Sequence, residues 1–352
     1  MIHSNGSGRT RRSLSRRTAR LATAFAISAG LVLSAAACSS DAAGGDSADA
    51  GASDGSGIEG KRISYISFGQ QYEFIVGLTT TLEDRLEEAG AEVTTLDGKS
   101  DPNLQTTQVQ DALAQQPDAL IIDPVDPSLM TAAIQRANQQ GVPVFIVESL
   151  PEGVEYTSFV GYDNVAAGAL GAETLAEAIG DEGTVIQLQG GEASKQARER
   201  KEGFDTEMKN HPNITVRDLK TEWTAENANS MTLDAFTADP NIVGIWSHND
   251  EMIRGSVEAL RQLGKTAPAG EDGHIVIVGH DGTPLALQRI RDGVQDATVV
   301  YDAIEMGNIT ADNLIAFFAG EDFEKDTIIV PFIANSANVD DKSLWGNLPS
   351  LN

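Results

Sequence analysis

From Lys61 onward, short apolar runs alternate with segments of helical periodicity along almost the whole chain. The apolar runs are too short and too rich in β-branched residues to be helices, so they predict buried strands. They are RISYISF, AEVTTLD, DALIID, VPVFIVES, GTVIQLQG, ITVRDLK, IVGIWSH, HIVIVGHD and DATVVYD. Regular strand–helix alternation predicts parallel sheets with right-handed crossovers. The fold class is therefore predicted to be α/β.

The number of predicted strands favours two sheets rather than one. The chain has 352 residues, which is enough for two domains with cores of their own. Helices are predicted over roughly 103–115 and 127–140, and Gly90 is predicted to end the helix that follows the first strand. The stretch SFVGYDNVAAGAL is predicted to carry the chain from the first lobe to the second.

The N-terminus has the pattern of an export signal. Six arginines and no acid occur in residues 1–37, and the apolar run LATAFAISAGLVLSAAAC ends in small residues at Cys38. This resembles a bacterial lipoprotein signal peptide over 1–37 with Cys38 as the lipidated residue, although Ala35 stands where such signals usually have leucine. The alternative is an uncleaved membrane anchor, whose apolar core is short for a span.

The arginine pairs at 11–12 and 16–17 resemble a twin-arginine export signal without the Phe-Leu that usually follows. Residues 38–60 are rich in Gly, Ser, Ala and Asp, which predicts a flexible, lipid-anchored linker. The folded part is thus expected on the extracytoplasmic face of the cell membrane. Cys38 is the single cysteine, so no intramolecular disulfide, cysteine-based zinc site or thiol nucleophile is expected.

The charge balance argues against nucleic acid as a partner. The chain carries a formal net charge of −27, and without the six arginines of residues 1–37 the balance is 19 basic against 52 acidic residues, or −33. A surface this acidic repels phosphate backbones.

Polar and aromatic residues follow the predicted strands. In open α/β sheets, ligands bind beyond the carboxyl ends of the strands. The candidates selected by this rule are Tyr72, Phe74, Glu148, Ser149, Arg200, Trp223, Asn249, Asp281 and Tyr301. Carboxylates, amides and guanidinium groups pair with vicinal hydroxyls, and aromatic rings cover C–H faces. The set therefore favours a carbohydrate site.

Each candidate also has a purely structural interpretation. Asp281 and Asn249 could cap the helices that follow them, and Asp250 could be only a cap. Arg200 could be one solvated charge among several, Trp223 a core residue and Glu148 a surface acid. The flanking polar residues of Trp223 favour a partly exposed position.

An aspartate at a strand end, such as Asp281, could also hold magnesium or attack a phosphate. The sequence contains neither G-x-x-x-x-G-K-[ST] nor G-x-G-x-x-G, and it lacks G-x-S-x-G and H-E-x-x-H. Nucleotide binding and the hydrolase classes with those signatures are therefore disfavoured. Hydrogen bonding to a bound hydroxyl remains the favoured role of Asp281.

Several blocks resemble the ribose-binding-protein-like solute receptors of ABC importers, the type I periplasmic binding proteins. They include DALIIDPVDPSLMTAAIQRANQQGVPVFIV, QLQGGEASKQARERKEGF, HNDEM and VIVGHDGTPLALQRIRDG, and the resemblance covers nearly all of residues 62–335. It implies two Rossmann-like lobes joined by a three-crossover hinge. The lobes would comprise 61–162 plus 302–330 and 163–301 plus 331–345.

The resemblance also implies a function. A monomeric receptor without cofactor, metal or enzymatic activity would hold a sugar between its lobes and deliver it to an ABC permease and its ATPase. The binding positions of the family fall on Arg200, Trp223, Asn249 and Asp281, which keep the expected chemistry.

The first lobe departs from the family pattern. Tyr72 replaces an amide beside the retained Phe74, Ile75 replaces a second phenylalanine, and Tyr301 replaces a glutamine. Glu148-Ser149 stands where the family has an Asp-Arg pair. In the family this arginine donates toward a pyranose ring oxygen, which serine is too short to do. An acyclic polyol such as a tetritol or pentitol is therefore favoured over ribose.

Three alternative functions are compatible with a fold of this kind. The fold also serves DNA-binding regulators, but the DNA-binding segment is missing and an export signal is present. A receptor that feeds a sensor kinase or chemoreceptor is the main alternative to import. A glycoside hydrolase using Glu148 and Asp281 is disfavoured, because a cleft closed around a monosaccharide leaves no room for a leaving group.

Overall fold

The structure is a computed structural model that describes residues 57–348. The predicted signal peptide, the lipidation site Cys38 and linker residues 38–56 lie outside the described residues. Residues 57–60, predicted to be linker, form a turn in which the side chain of Ile58 is fully buried and Gly60 N donates to Gly90 O at 2.8 Å. These four residues belong to the folded lobe, because Ile58 packs into its core.

The first sheet has the strand order β11-β5-β4-β3-β1-β2, with every pair parallel. Burial is complete along β3, β4 and β5, as expected for central strands covered on both faces. The strands are β1 Arg62–Ser67, β2 Glu92–Asp97, β3 Ala119–Ile122, β4 Val144–Glu148, β5 Ser158–Tyr162 and β11 Asp326–Ile329.

Four helices pack on this sheet: α1 Glu73–Glu88, α2 Pro102–Ala114, α3 Pro127–Gln139 and α9 Ala303–Ala319. Asp101 and Asp126 cap α2 and α3 through their side chains, and each is followed by proline at the first helical position. The predicted helices over 103–115 and 127–140 are thus confirmed to within a residue.

The second sheet has the order β12-β10-β9-β8-β6-β7. Its strands are β6 Gly183–Gln189, β7 Ile214–Lys220, β8 Ile242–Ser247, β9 Val276–Asp281, β10 Ala297–Val300 and β12 Phe332–Asn335. Contrary to the expectation of purely parallel sheets, β12 runs antiparallel to β10. Only residues 330–331 separate β11 from β12, and without a crossover helix the chain does not enter the second sheet in the parallel direction.

The second sheet is covered by α4 Asn164–Ile179, α5 Lys195–Glu207, α6 Ala225–Ala238, α7 Asp250–Gln262 and α8 Pro284–Arg291. Ser194, Thr224, Asn249 and Thr283 cap α5, α6, α7 and α8 with side-chain oxygens. These caps follow strand ends, so the starts of the helices and the ends of the strands meet at one edge of the sheet.

The chain passes between the two sheets three times, after β5, after β10 and between β11 and β12. At the hinge, the rings of Tyr162 and Tyr301 lie 3.6 Å apart, and Tyr162 Oη donates to Asp302 O at 2.5 Å. The two-lobed α/β fold is confirmed, while the residue limits predicted for the lobes stay a prediction.

The helices α4 and α5 approach closely through two glycines. A Cβ on Gly203 would lie 1.9 Å from Val165 O, and a Cβ on Gly168 would lie 2.0 Å from Arg200 O. Both contacts are with backbone atoms, which cannot move aside as a side chain would. Because α5 carries Arg200, this crossing fixes the distance of that side chain from the strand ends.

We predict that Gly203→Ala destabilises the protein by about 1–3 kcal/mol, although alanine is the better helix former. Urea unfolding of this variant and of Glu202→Ala, an exposed neighbour, measures the effect. Glu202→Ala should stay within about 0.5 kcal/mol of the wild type. Equal unfolding midpoints for Gly203→Ala and the wild type would contradict the close crossing of α4 and α5.

Candidate ligand-binding site

The carboxyl ends of both sheets face one shared cavity. Its lining comes from both lobes: Phe68, Tyr72, Phe74, Ile75, Glu148, Gln196, Arg200, Trp223, Asn249, Asp281 and Tyr301. The predicted candidates, with the exception of Ser149, are therefore brought together. The candidate set lacked Phe68, Ile75 and Gln196, although Ile75 was noted as a replaced family position.

Ser149 is buried but does not line the cavity. The backbone of Glu148 has φ +66°, and Ser149 N donates to Val147 O at 2.7 Å. This is a γ-turn at a positive φ, which is rare and strained. The turn aims Glu148 into the cleft and carries Ser149 out of it, so the prediction that Ser149 contacts the ligand is not supported.

Arg200 is the central cation of the cavity and is only 3% exposed. Its Nε donates to Asn164 Oδ1 at 2.9 Å and its Nη1 to His248 O at 2.5 Å. The guanidinium lies 4.7 Å from the ring centre of Tyr301, and Nη1 lies 3.9 Å from Asp281 Oδ1. Arg200 is therefore not a solvated charge, and contacts with the protein itself fix its position.

Asp281 ends β9 with φ +119°, a backbone conformation that costs a non-glycine residue of order 1–3 kcal/mol. Its Oδ1 lies within hydrogen-bond distance of His280 Nδ1, at 3.0 Å. Burial raises the pKa of Asp281 well above its usual value, and Arg200 acts in the opposite direction. Burial also lowers the pKa of His280, so the imidazole beside the carboxyl is neutral.

Asp250 has a positioning role that the sequence did not indicate. The cap of α7 is Asn249, which accepts from Met252 N at 2.9 Å. The carboxylate of the buried Asp250 accepts from Gly282 N at 3.0 Å and Thr283 N at 3.1 Å. Asp250 thus fixes the turn that follows Asp281, and burial raises its pKa to about 6.

Glu148 is the carboxyl group that the first lobe contributes to the lining of the cavity. Its Oε2 accepts from Gln196 Nε2 at 3.2 Å and from Tyr301 Oη at 3.1 Å, so it links the two lobes. Its Oε1 is buried and has no hydrogen-bond partner among the described residues. Burial raises the pKa of Glu148 to about 7, against the opposing effect of Arg200. Glu148 is therefore not a surface acid.

The two walls of the cavity differ in chemistry. Around Glu148 the first lobe presents Phe68, Tyr72, Phe74 and Ile75, whereas the second lobe presents amide, guanidinium and carboxyl groups. Trp223 is 8% exposed, less than its polar neighbours in the sequence suggested, and its ring lies 5.8 Å from the Arg200 guanidinium. A Cβ on Gly190 would lie 2.1 Å from this ring, so glycine at the end of β6 leaves the space that the indole occupies.

The sequence matches the family described as "Periplasmic binding protein domain" over residues 63–322, about three quarters of the chain. The chain belongs to this family. Its curated relatives include the ribose import binding protein of Bacillus subtilis, which is 28% identical over 73% of this chain and 81% of the relative. Another is the xylitol-binding protein of Mycolicibacterium smegmatis, which is 29% identical over 68% of each chain.

Solved structures of solute-binding proteins share this two-lobed fold. A solute binding protein of an ABC transporter from Mycobacterium smegmatis with bound glycerol superposes with a TM-score of 0.72 at 26% identity, covering 80% of this chain and 96% of that one. A galactofuranose binding protein superposes with a TM-score of 0.73 at 23% identity, covering 80% and 97%.

Membership has two consequences. Periplasmic binding proteins are receptors that bind solutes without transforming them, so this protein is not an enzyme, and the family works outside the cytoplasm.

Within residues 57–348, none of the helices has the length and apolarity needed to cross a bilayer. The same residues contain no group of three or more His, Cys, Asp or Glu side chains that could hold a metal ion.

The raised pKa of Glu148 predicts a pH-dependent stability. Between its usual value of 4.5 and about 7, the folded state holds a proton that the unfolded state has released, so stability decreases as pH rises through this window. The wild type should therefore lose about 1–3 kcal/mol relative to Glu148→Gln between pH 5 and pH 8. Urea unfolding of both proteins at several pH values measures the difference.

The difference between the two proteins reports the titration of Glu148 together with its effect on Asp123 and Asp281, whose pKa values burial and the charge of Glu148 both raise. Burial also lowers the pKa of His248 and His280, so these residues oppose the trend below about pH 6.5 in both proteins. Parallel stability curves for the wild type and Glu148→Gln would show that Glu148 titrates at its ordinary value in the folded protein.

Proposed function

We propose that the protein is the solute-binding receptor of an ABC importer, and that it captures a small neutral sugar or sugar alcohol and delivers it to a membrane permease. The observation that carries the proposal is the buried grouping of Arg200, Asn249 and Asp281 opposite an aromatic wall. Guanidinium, amide and carboxyl groups can each pair with hydroxyls, and aromatic faces cover the C–H edges between them.

The magnitudes are reasonable for such a ligand. A micromolar dissociation constant corresponds to about −8 kcal/mol. For about 10–12 heavy atoms this is roughly 0.7–0.8 kcal/mol per atom, which is within the limit for very small ligands. Reaching this value requires nearly complete burial with every hydroxyl paired, and a cleft walled by two lobes provides it.

A polyol such as a tetritol or pentitol is favoured over ribose. The first lobe contributes Glu148 to the cavity, whereas Ser149, which stands where the family resemblance implies an arginine directed at a ring oxygen, is turned away from it. The names of relatives that bind xylitol or glycerol are consistent with this choice.

The proposed export, membrane anchoring and transport role rest on the sequence and on the names of relatives. Export with lipidation at Cys38 would keep a monomeric receptor on the extracytoplasmic face of the membrane, next to the permease and its ATPase. A receptor that feeds a sensor kinase or chemoreceptor is the alternative. Relatives named as import proteins favour transport.

We predict that Asp281→Ala abolishes measurable binding and that Asp281→Asn, which keeps the shape but replaces one carboxyl oxygen with an NH₂ group, weakens it about 10- to 100-fold. Loss of one charge-assisted hydrogen bond costs about 1.5–3 kcal/mol. Isothermal titration calorimetry measures affinity, and circular dichroism shows that the variants are folded. Asp292→Ala, in an exposed position, is the control and should bind as the wild type. Unchanged affinity of Asp281→Ala would remove Asp281 from the site.

A second prediction concerns ligand class. In a thermal-shift screen followed by calorimetry, xylitol and ribitol should bind at least tenfold more tightly than D-xylose and D-ribose, because the first lobe lacks the donor for a ring oxygen. Erythritol, glycerol and myo-inositol complete the series. A protein that bound the cyclic sugars and ignored their alditols would contradict the polyol assignment and leave the receptor function intact.

A further inference from the structure

The chain after β12 returns to the cleft and forms a short 3-10 turn at Trp345–Asn347. The side chain of Asn347 donates to Val339 O at 2.8 Å and accepts from Arg291 Nη2 at 2.6 Å. These bonds fix the segment to α8 of the second lobe. Trp345 is 1% exposed, so it is an internal residue although it lies near the end of the described chain.

On the side of the second lobe, Trp345 supports the backbone of Asp281. Its Nε1 donates to Asp281 O at 2.8 Å, and Tyr301 N donates to the same oxygen at 3.0 Å. A Cβ on Gly346 would lie 2.5 Å from Gly282 O, so the segment passes directly over this turn. Because Asp281 holds a φ of +119°, such bonds are needed to keep its carboxyl directed into the cavity.

On the side of the first lobe, the same indole contacts α1. Its ring meets Phe74, a cavity residue, edge to face at a centroid distance of 6.3 Å. A Cβ on Gly77 would lie 3.2 Å from the ring. Glycine is a poor residue for a helix interior, and here it makes the surface of α1 flat enough to seat the indole.

We propose that Trp345 is a positioning residue that couples closure of the lobes to the orientation of Asp281. With the lobes closed, Phe74 and Gly77 pack against the indole ring and fix its orientation. In this orientation the indole N–H donates to Asp281 O. With the lobes apart, α1 withdraws, the indole loses one of its two supports and the Asp281 backbone is held less firmly. This inference rests on the proposed function for the ligand, but the contact itself does not.

The first test measures affinity for xylitol, ribitol and D-ribose by calorimetry. Trp345→Phe keeps most of the packing and removes the N–H, and its affinity should be three- to tenfold weaker. The matched control is Trp246→Phe. Trp246 is a buried tryptophan of the same lobe that stacks on Phe204 at 4.5 Å and whose N–H has no partner among the described residues. The control should lower the unfolding temperature and leave affinity within twofold.

The second test needs no ligand. Nitroxide labels at Glu88→Cys on α1 and Gln262→Cys on α7, both exposed, report lobe separation by double electron–electron resonance in the full chain with Cys38→Ser. Trp345→Phe should lengthen and broaden the distances relative to the otherwise identical labelled chain. Gly77→Ala, which displaces the ring from the other side, should act in the same direction and serves if Trp345→Phe does not fold.

Wild-type distances in the unliganded variants would overturn the proposal, as would wild-type affinity in Trp345→Phe. If the wild type bound none of the three probes, the proposed ligand class would fail, and the distance measurement would still decide whether Trp345 joins the lobes.

Discussion

A guanidinium that is 3% exposed must find acceptors for its N–H groups without bulk water, since an unpaired buried charge is strongly unfavourable. Arg200 finds them in Asn164 at the start of α4 and in His248 O beyond β8, and its remaining donors face the cavity and Asp281. Helix α5 must therefore pack at one fixed position against α4, and Gly168 and Gly203 allow the two helices to approach closely enough. The second lobe is thus built around one buried cation whose remaining donors face the cavity.

The same cleft concentrates backbone strain. Glu148, Trp223 and Asp281 have φ values of +66°, +67° and +119°, and all three line the cavity. Regular extended backbone would alternate side chains between the two faces of each sheet, whereas a positive φ at a strand end turns the side chain toward the space beyond the sheet. The cost is offset by hydrogen bonds around each turn, such as those that Asp250 makes to Gly282 and Thr283. Side-chain direction in this cleft therefore depends on backbone conformations that residue type alone does not favour.

This dependence explains what the sequence could and could not predict. Apolar runs and helix caps predicted the strands and helices, because burial and capping are local properties. The strand-end rule located Arg200, Asn249 and Asp281, because parallel strands deliver their ends to one edge. The direction of Ser149, the cross-lobe bond of Gln196 and the role of Asp250 depend on turns and on residues distant in sequence. The antiparallel β12 likewise depends on a two-residue connection between different sheets, which the strand pattern does not encode.

The bonds between the lobes set how the receptor can respond to its ligand. Hydrogen bonds from Gln196 and Tyr301 to Glu148 join the two lobes across the cleft, and an ordinary bond of this kind contributes only about 0.5–1.5 kcal/mol net. A ligand shifts the equilibrium only by its differential affinity for the closed form, and about 5.5 kcal/mol is needed to move it from 1:99 to 99:1. In the binding mode that we propose, hydroxyls pair with Arg200 and Asp281 while C–H edges contact Phe74, so the ligand would engage both lobes at once and only the closed form would offer the full set of contacts. A ligand that contacted only one lobe would stabilise the open and closed forms equally, so its binding would not favour closure. Closure therefore depends on the placement of ligand-binding groups on both lobes rather than on the total number of such groups.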